Sequence, residues 1–424
     1  MAAILRGSLV FFVICSVFSF PAFSQSLTET LQSAYQNNAG YAAEIARLEK
    51  AEERVKQANS YIRPSLSLQA SLTDSESWPS SSGSDGTSAY TLNLSQPVYA
   101  GGGIRAGANY ARAQFDASKQ NLLSLEQSLF FDAITFHVNV ARDQEILAIR
   151  LNNVEVLSAQ LRAARDRFEV GEITRTDVAQ AEARLSASKA QLSAARATLE
   201  SSRAAYSRVV GMQAKNPEKL LPADISVDNL DVVVSQALDN NPEILQSRLL
   251  ETVAQENIKI AQAKLRPTVS VQASIGNSLQ TPSFTGDTYT TSSISAVFSM
   301  PLYAGGFNRS NVRSARAIAD EARFSTNQVR MSLVESASNA WHAYLSARAV
   351  IESSRQAVLA NEIAFEGVQQ EAFVGLRTML DVLNAEQELL NTRLNVASAE
   401  RDLVVASYRI LAVVGKLRAT DLNL

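Results

Sequence analysis

Cysteine is all but missing. Cys15 is the only one among 424 residues, and it lies in an apolar run near the start. Without it no thiol remains for a disulfide or a thiolate metal site. Histidine is nearly as scarce. His137 and His342 are the only two, and neither belongs to a His-x-x-x-His pattern. No metal centre, no bound cofactor and no catalytic set is therefore expected, and each histidine reads as one satisfied within its helix. Long apolar runs are absent too. After residue 24 no window of about 20 apolar residues occurs, which excludes a transmembrane helix. A membrane location would then require a closed β-barrel. Charge of one sign is also lacking: 39 Lys and Arg face 42 Asp and Glu. With no basic excess, nucleic acid is not an expected partner.

The start of the chain reads as a leader. Arg6 precedes an apolar run from Leu9 to Phe20, and Pro21-Ala22-Phe23-Ser24-Gln25 follows. A positive end, a short apolar run, and small residues at Ala22 and Ser24 predict a secretory signal peptide over 1–24. A signal anchor is the plainer alternative. Val13 and Ile14, rather than small residues, precede Cys15, so no N-terminal lipid is expected. The leader carries Arg6 alone among charged side chains, which leaves 38 basic against 42 acidic residues.

What the chain does contain is a duplication. "QNNAGYAAEIARLEKAEERVKQANSYIRPSLSLQAS" at 36–71 aligns with "DNNPEILQSRLLETVAQENIKIAQAKLRPTVSVQAS" at 239–274. "SQPVYAGGG" aligns with "SMPLYAGG", and "VVGMQ" with "VVGKL", at an offset that stays at 203 or 204. Two copies of one large unit are expected, 25–230 and 231–424, rather than a solenoid of many small repeats.

Each copy opens with a predicted helix of about 30 residues that stops before Arg63-Pro64 or Arg266-Pro267, where proline disfavours helix for the preceding residue. The period then changes to two. "PSLSLQAS", "AYTLNLSQPVY" and "PTVSVQAS" alternate apolar with small polar residues, predicting strands near 64–73, 89–98, 267–278 and 289–300. Ser/Gly/Thr-rich loops separate them. The glycines at 101–103 and 305–306 read as strand-to-helix turns; no P-loop lysine follows them. Proline-free helical pattern runs on for about 65 residues in each copy, which is about 100 Å of helix. A returning helix of about 35 residues carries a strict seam. Val178, Ala181, Leu185, Ser188, Leu192, Ala195, Leu199, Ser202, Tyr206 and Val209 step by three and four, and the second copy repeats the spacing from Val382 to Val413. Such spacing is a coiled-coil seam, with an ordinary bundle core as the weaker reading.

Four strands cannot close a barrel, and an open sheet in lipid leaves edge groups unsatisfied. Several chains must contribute. A dimer supplies eight strands, whose bore side chains would fill; a trimer supplies twelve. Trp78, Tyr90, Tyr99, Tyr289 and Tyr303 flank the strands and suit interfacial aromatic belts, although scattered surface aromatics would look the same.

The two helical hairpins turn on one motif. Val170-Gly171 and Val374-Gly375 each precede Thr-x-x-Asp-Val, so that Gly171 and Gly375 lie 204 apart, as do Asp177 and Asp381. Together with "RPSLSL" and "QPVYAGG", these turns resemble the TolC family of outer-membrane efflux and type I secretion channels. The resemblance covers essentially the whole chain after the leader. It implies a mainly α fold with a membrane β-barrel: a homotrimer whose twelve strands lie in the outer membrane of a Gram-negative bacterium, in contact with its lipid. A long coiled-coil α-helical barrel would project into the periplasm. The implied partners are a periplasmic adaptor protein and an inner-membrane pump of RND or ABC type. The lack of a lipid-bearing cysteine resembles the TolC and type I secretion branch.

By the same resemblance, the paired turns lie at the periplasmic mouth. Asp381 falls where the family lines its constriction, with Asn384 at the family's second acidic position. Arg377 matches the residue that latches the second hairpin to the first, and Thr176 and Asp177 match its partners. Ala372 stands where a latching tyrosine would be. The residues themselves also support a local reading, in which Thr174 and Thr378 are helix N-caps with an acid three residues on. A passive exit duct is the expected function. A non-conducting envelope coiled coil is the rival reading, and an enzyme is the most distant one.

Overall fold

The structure, a computed structural model, describes residues 25–75, 85–225, 229–281 and 288–421. The leader and Trp78 lie outside the described residues. The first copy contains α1 (Leu27–Asn37), α2 (Ala39–Ser60), β1 (Ser65–Ser75), β2 (Asp85–Ala100), α3 (Gly103–Glu169) and α4 (Arg175–Val210). The second repeats the order as α5 (Leu230–Asn240), α6 (Pro242–Ala263), β3 (Thr268–Thr281), β4 (Thr288–Ser299), α7 (Phe307–Phe373) and α8 (Met379–Val414). Both α3 and α7 have 67 residues, about 100 Å at the usual rise.

The opening helix of each copy is broken, where a single helix was expected. Asn38 and Asn241 leave the helical region and cap the helix that follows: Asn38 Oδ1 accepts from Tyr41 N, and Asn241 Oδ1 from Glu243 N. Asparagine competes well for this role, and Pro242 at the first helical position reinforces it. The same side chains also reach across to the returning helix. Asn38 Nδ2 donates to Val209 O at 3.3 Å and Asn241 Nδ2 to Val413 O at 2.9 Å. Each break is thus fastened to the end of the long returning helix. Gly415 completes the junction: a Cβ there would lie 2.6 Å from Asn240 O.

The four strands form one antiparallel sheet in the order β1-β2-β3-β4. Directly opposed residues share a face. Leu68↔Leu92, Leu92↔Ile275, Leu94↔Ala273 and Ala273↔Ile294 lie on one face. Ser67↔Asn93, Gln69↔Thr91, Ser274↔Asn93 and Ser274↔Ser293 lie on the other. The sheet therefore has an apolar face and a polar one. Tyr90 belongs to the apolar face, as an interfacial aromatic should. Tyr289, opposite Ser278, shares the polar face and does not fit that role. β2 extends past the 89–98 window because Thr87 and Ser88 pair in the ladder without any hydrophobic alternation to announce them.

The helical seams pack as the spacing requires. Ala181, Leu185, Ser188, Leu192, Leu199, Tyr206 and Val209 are buried, and the remaining seam positions of α4 are half-buried. One core joins α1, α3 and α4 around Leu31, Phe130, Ile134, Tyr206 and Val210. A second joins α5, α7 and α8 around Val233, Leu333, Ala337, Ile410 and Val414. His137 is fully buried in the first core. Its Nε2 lies 2.9 Å from Glu218 O, and its Nδ1 lies 3.0 Å from the Thr30 hydroxyl, which also meets Tyr206. A carbonyl only accepts, so Nε2 holds the proton, and burial pushes the imidazole below its ordinary value.

Replacing Asn241 with Ala removes both a cap and a buried interhelical bond. A loss of about 1–2 kcal/mol is expected, with a smaller loss for Asn38→Ala, whose bond to the returning helix is longer. Thermal unfolding of the purified variants checks the order, and an undiminished N241A would disprove it.

Candidate functional site: the paired hairpin tips

The V-G-x-x-T-x-x-D motif is a helix stop followed by a helix start. Gly171 N donates to Phe168 O at 3.0 Å, and Glu172 N to Arg167 O at 2.9 Å. This is the Schellman arrangement, which places the residue after the cap in the left-handed region. Gly171 has φ 79° and Gly375 has φ 82°. A Cβ at either would meet nothing within 4 Å. Backbone strain, rather than crowding, therefore calls for glycine. In the second tip Leu376 N donates to Glu371 O at 2.9 Å.

The start is a full capping box in both copies. Thr174 N donates to Asp177 Oδ2 at 2.9 Å, and Asp177 N donates to Thr174 Oγ1 at 3.3 Å. Thr378 and Asp381 repeat the exchange at 3.0 and 3.2 Å. The Thr378 amide and hydroxyl hold the Asp381 carboxyl below its ordinary value, with Arg377 adding a smaller pull. The local reading of both aspartates is thus realised. Apolar side chains crown the tips: Val170, Phe373, Val374 and Leu376 are all exposed.

The expected latch residues are not joined within the chain. Arg377 Nε donates instead to Glu371 of its own hairpin at 2.8 Å. Among the described residues, no hydrogen bond or ion pair links Arg377 to Thr176 or Asp177. Thr176 is exposed, while Asp177 is half-buried in its capping box. Asn384, expected at the constriction, is exposed and accepts from Arg184 Nη2 of α4 at 3.0 Å.

Two residues that sequence reasoning missed bind the hairpins together. Arg184 is one. Leu383, only 2% exposed, is the other, and it enters a cluster with Leu157, Leu161 and Ala164 of α3 and Ala181 and Leu185 of α4. The signal was present. Beside its seam, α8 carries a second stripe, Leu383, Leu390, Ala397 and Val404, all buried. The matching first-copy positions are Ala179, Ser186, Ser193 and Glu200, all exposed. One returning helix is therefore built to pack on one side, and the other on two.

Long paired helices, a two-faced sheet with free edges and twin capped tips define the subunit of a membrane-anchored helical duct. A family described as outer membrane efflux protein matches residues 30–212 and 233–416, and the chain belongs to it. The outer membrane efflux protein BepC of Brucella suis biovar 1 is 34% identical over 408 residues, covering 95% of this chain and 88% of the relative. Outer membrane protein TolC of Escherichia coli K12 is 26% identical over 438 residues, covering 96% and 85%. The crystal structure of VceC from Vibrio cholerae superposes with a TM-score of 0.80 at 22% identity, over 92% of this chain and 96% of that one. The resemblance to the TolC family holds, and the protein is an exit-duct component of the outer membrane.

Leu383 generates a direct test. Leu383→Ala should cost about 2–5 kcal/mol at the contact between hairpins. Hydrogen exchange of the 376–384 amides should quicken while the seam higher in α8 stays protected. Unchanged exchange at the tip would show that Leu383 does not hold the hairpins together.

Proposed function

We propose that three copies close into one continuous passive duct, gated where the second hairpin meets the first. The observation that carries this is the two-faced sheet. Its outer strands, β1 and β4, each have a single neighbour. Lipid offers no partner for the free edges, so β1 of one copy pairs with β4 of the next. Three copies give twelve strands, with the serine, asparagine and glutamine face toward the lumen. The helices support the same count of neighbours. Phe324, Met331, Leu359 and Ile363 of α7 are 66, 73, 62 and 74% exposed, an apolar set that a neighbouring copy would cover.

The duct performs no chemistry of its own. Energy comes from an inner-membrane pump of RND or ABC type, reached through a periplasmic adaptor. At the mouth, Asp381 of the three copies forms an acidic ring, and Asn384 leaves it the only one at that depth. Arg377 exchanges Glu371 for Thr176 or Asp177 as the mouth closes.

Light scattering in detergent should return the mass of a trimer, and planar bilayers should show discrete conductance steps. A monomer or dimer, or a silent bilayer, would remove the duct reading in favour of a structural coiled coil. Asp381→Asn should lower cation selectivity and relieve most block by trivalent cations added from the periplasmic side. Block that persists in D381N would confine Asp381 to capping its helix.

A further inference from the structure

Glu182 and Glu386 are twins across the duplication, and their surroundings differ. Glu182 of α4 meets Arg165 of α3 in a 2.5 Å ion pair. The position matching Arg165 in α7 is Gln369. The second copy therefore keeps the acid and has lost the cation. Glu386 lies in the second stripe of α8, where the spacing from Leu383 to Leu390 calls for an apolar residue. It is 7% exposed, and its Oε2 has no hydrogen-bond partner.

That carboxylate lines a cavity of about 310 Å³ between α3, α7 and α8, the size of a small ligand pocket. Ile149 and Val156 of α3, Phe365 of α7, and Leu389 form apolar walls, while Asn152 and Asn153 add amides. The charged groups are few. Arg393 of α8 lines the cavity but donates to Glu362 of α7 at 2.8 Å, so the two neutralise each other. α3 contributes no charged side chain to the lining. Gln160 of α3 faces that carboxylate. Burial pushes the Glu386 carboxyl up to about 7, and Gln160 opposes that only in part.

We propose that this cavity is a binding site for a small amphipathic organic cation, its flat apolar body against Phe365 and the aliphatic walls and its amidinium or ammonium on Glu386. The chemistry of the lining selects that class. A buried carboxylate without a counter-ion either holds a proton or recruits one positive charge. An aromatic face beside it favours a cationic ring system. The site is shared by both hairpins, so its ligand stabilises their contact by linkage. The rival account is that a polar residue in a helical seam only fixes register.

Calorimetric titration of the purified full-length protein in detergent separates the two. Benzamidine is the probe, with benzyl alcohol as its neutral counterpart. Benzamidine should bind saturably at pH 8. At pH 5.5 its affinity should fall about 30-fold, because a proton competes for a carboxyl titrating near 7. Glu386→Gln should weaken it by about ten-fold or more at pH 8 and erase the pH dependence. That variant removes a buried charge and should fold. Ala148→Phe, an exposed lining position, leaves Glu386 intact and should also weaken binding by narrowing the cavity. Benzyl alcohol should show no pH dependence. No saturable benzamidine binding at pH 8, or an affinity equal in wild type, E386Q and A148F, would overturn the proposal and leave Glu386 as a register-setting acid.

Discussion

Everything in this chain answers to one constraint: a backbone N–H or C=O inside a bilayer must find its partner in protein. Four strands satisfy that constraint on three internal seams and fail it on two outer edges. The failure cannot be cured within the chain. Both copies of the duplicated unit have already placed their strands in a single sheet, and the other described segments are helices and the connections between them, with only an isolated bridge between Gln25 and Pro217 besides. The edges must be met by the complementary edges of other copies, β1 by β4. Once that is required, the long helices attached to the sheet are also arranged side by side around a ring.

The sheet's two faces make the same demand from a different direction. Leu66, Leu68 and Leu72 are 64, 70 and 90% exposed, which water would not reward. The opposite face offers serine, threonine, asparagine and glutamine along all four strands. An apolar outside and a hydrated inside is the arrangement of a transmembrane barrel. The proline in β2 fits this economy. β1 pairs with β2 only as far as Ser65↔Ser95, so Pro97 lies where β2 has a single neighbour, a position that tolerates a missing donor.

How much of this was legible depends on whether the determining partners are close in sequence. The tip turns were fully legible, because the stop and the start are both written within Val170–Asp177 and again within Val374–Asp381. The seam was legible because it steps by three or four residues through ten successive positions. The break at Asn38 and Asn241 was written too, in Asn-Asn-Pro and Asn-Asn-Ala, but the helical composition on both sides concealed it. The ends of β2 had no hydrophobic period to display. The pair of Arg184 with Asn384 spans 200 residues, and nothing local announces it. The latch is harder still: Arg377 has an acid within its own hairpin, Glu371, that competes with any partner farther away.

The two copies began as one text, and where they differ shows which hairpin carries the additional contact. A helix on the rim of a ring needs one apolar stripe, toward its hairpin partner. A helix that must also lean on the neighbouring hairpin needs two. α4 places Ser186, Ser193 and Glu200 where α8 places Leu390, Ala397 and Val404, and burial follows the chemistry at each position. A second stripe of leucine and valine alone would make that contact hard to undo, since each fully buried side chain of this kind contributes about 1.5–3 kcal/mol. α8 interrupts its stripe with Glu386. A buried carboxylate without a cation weakens the interface that surrounds it, here the packed contact between the two hairpins. The divergence of the copies thus gives the second hairpin both an added contact with the first and a built-in limit on how firm that contact is.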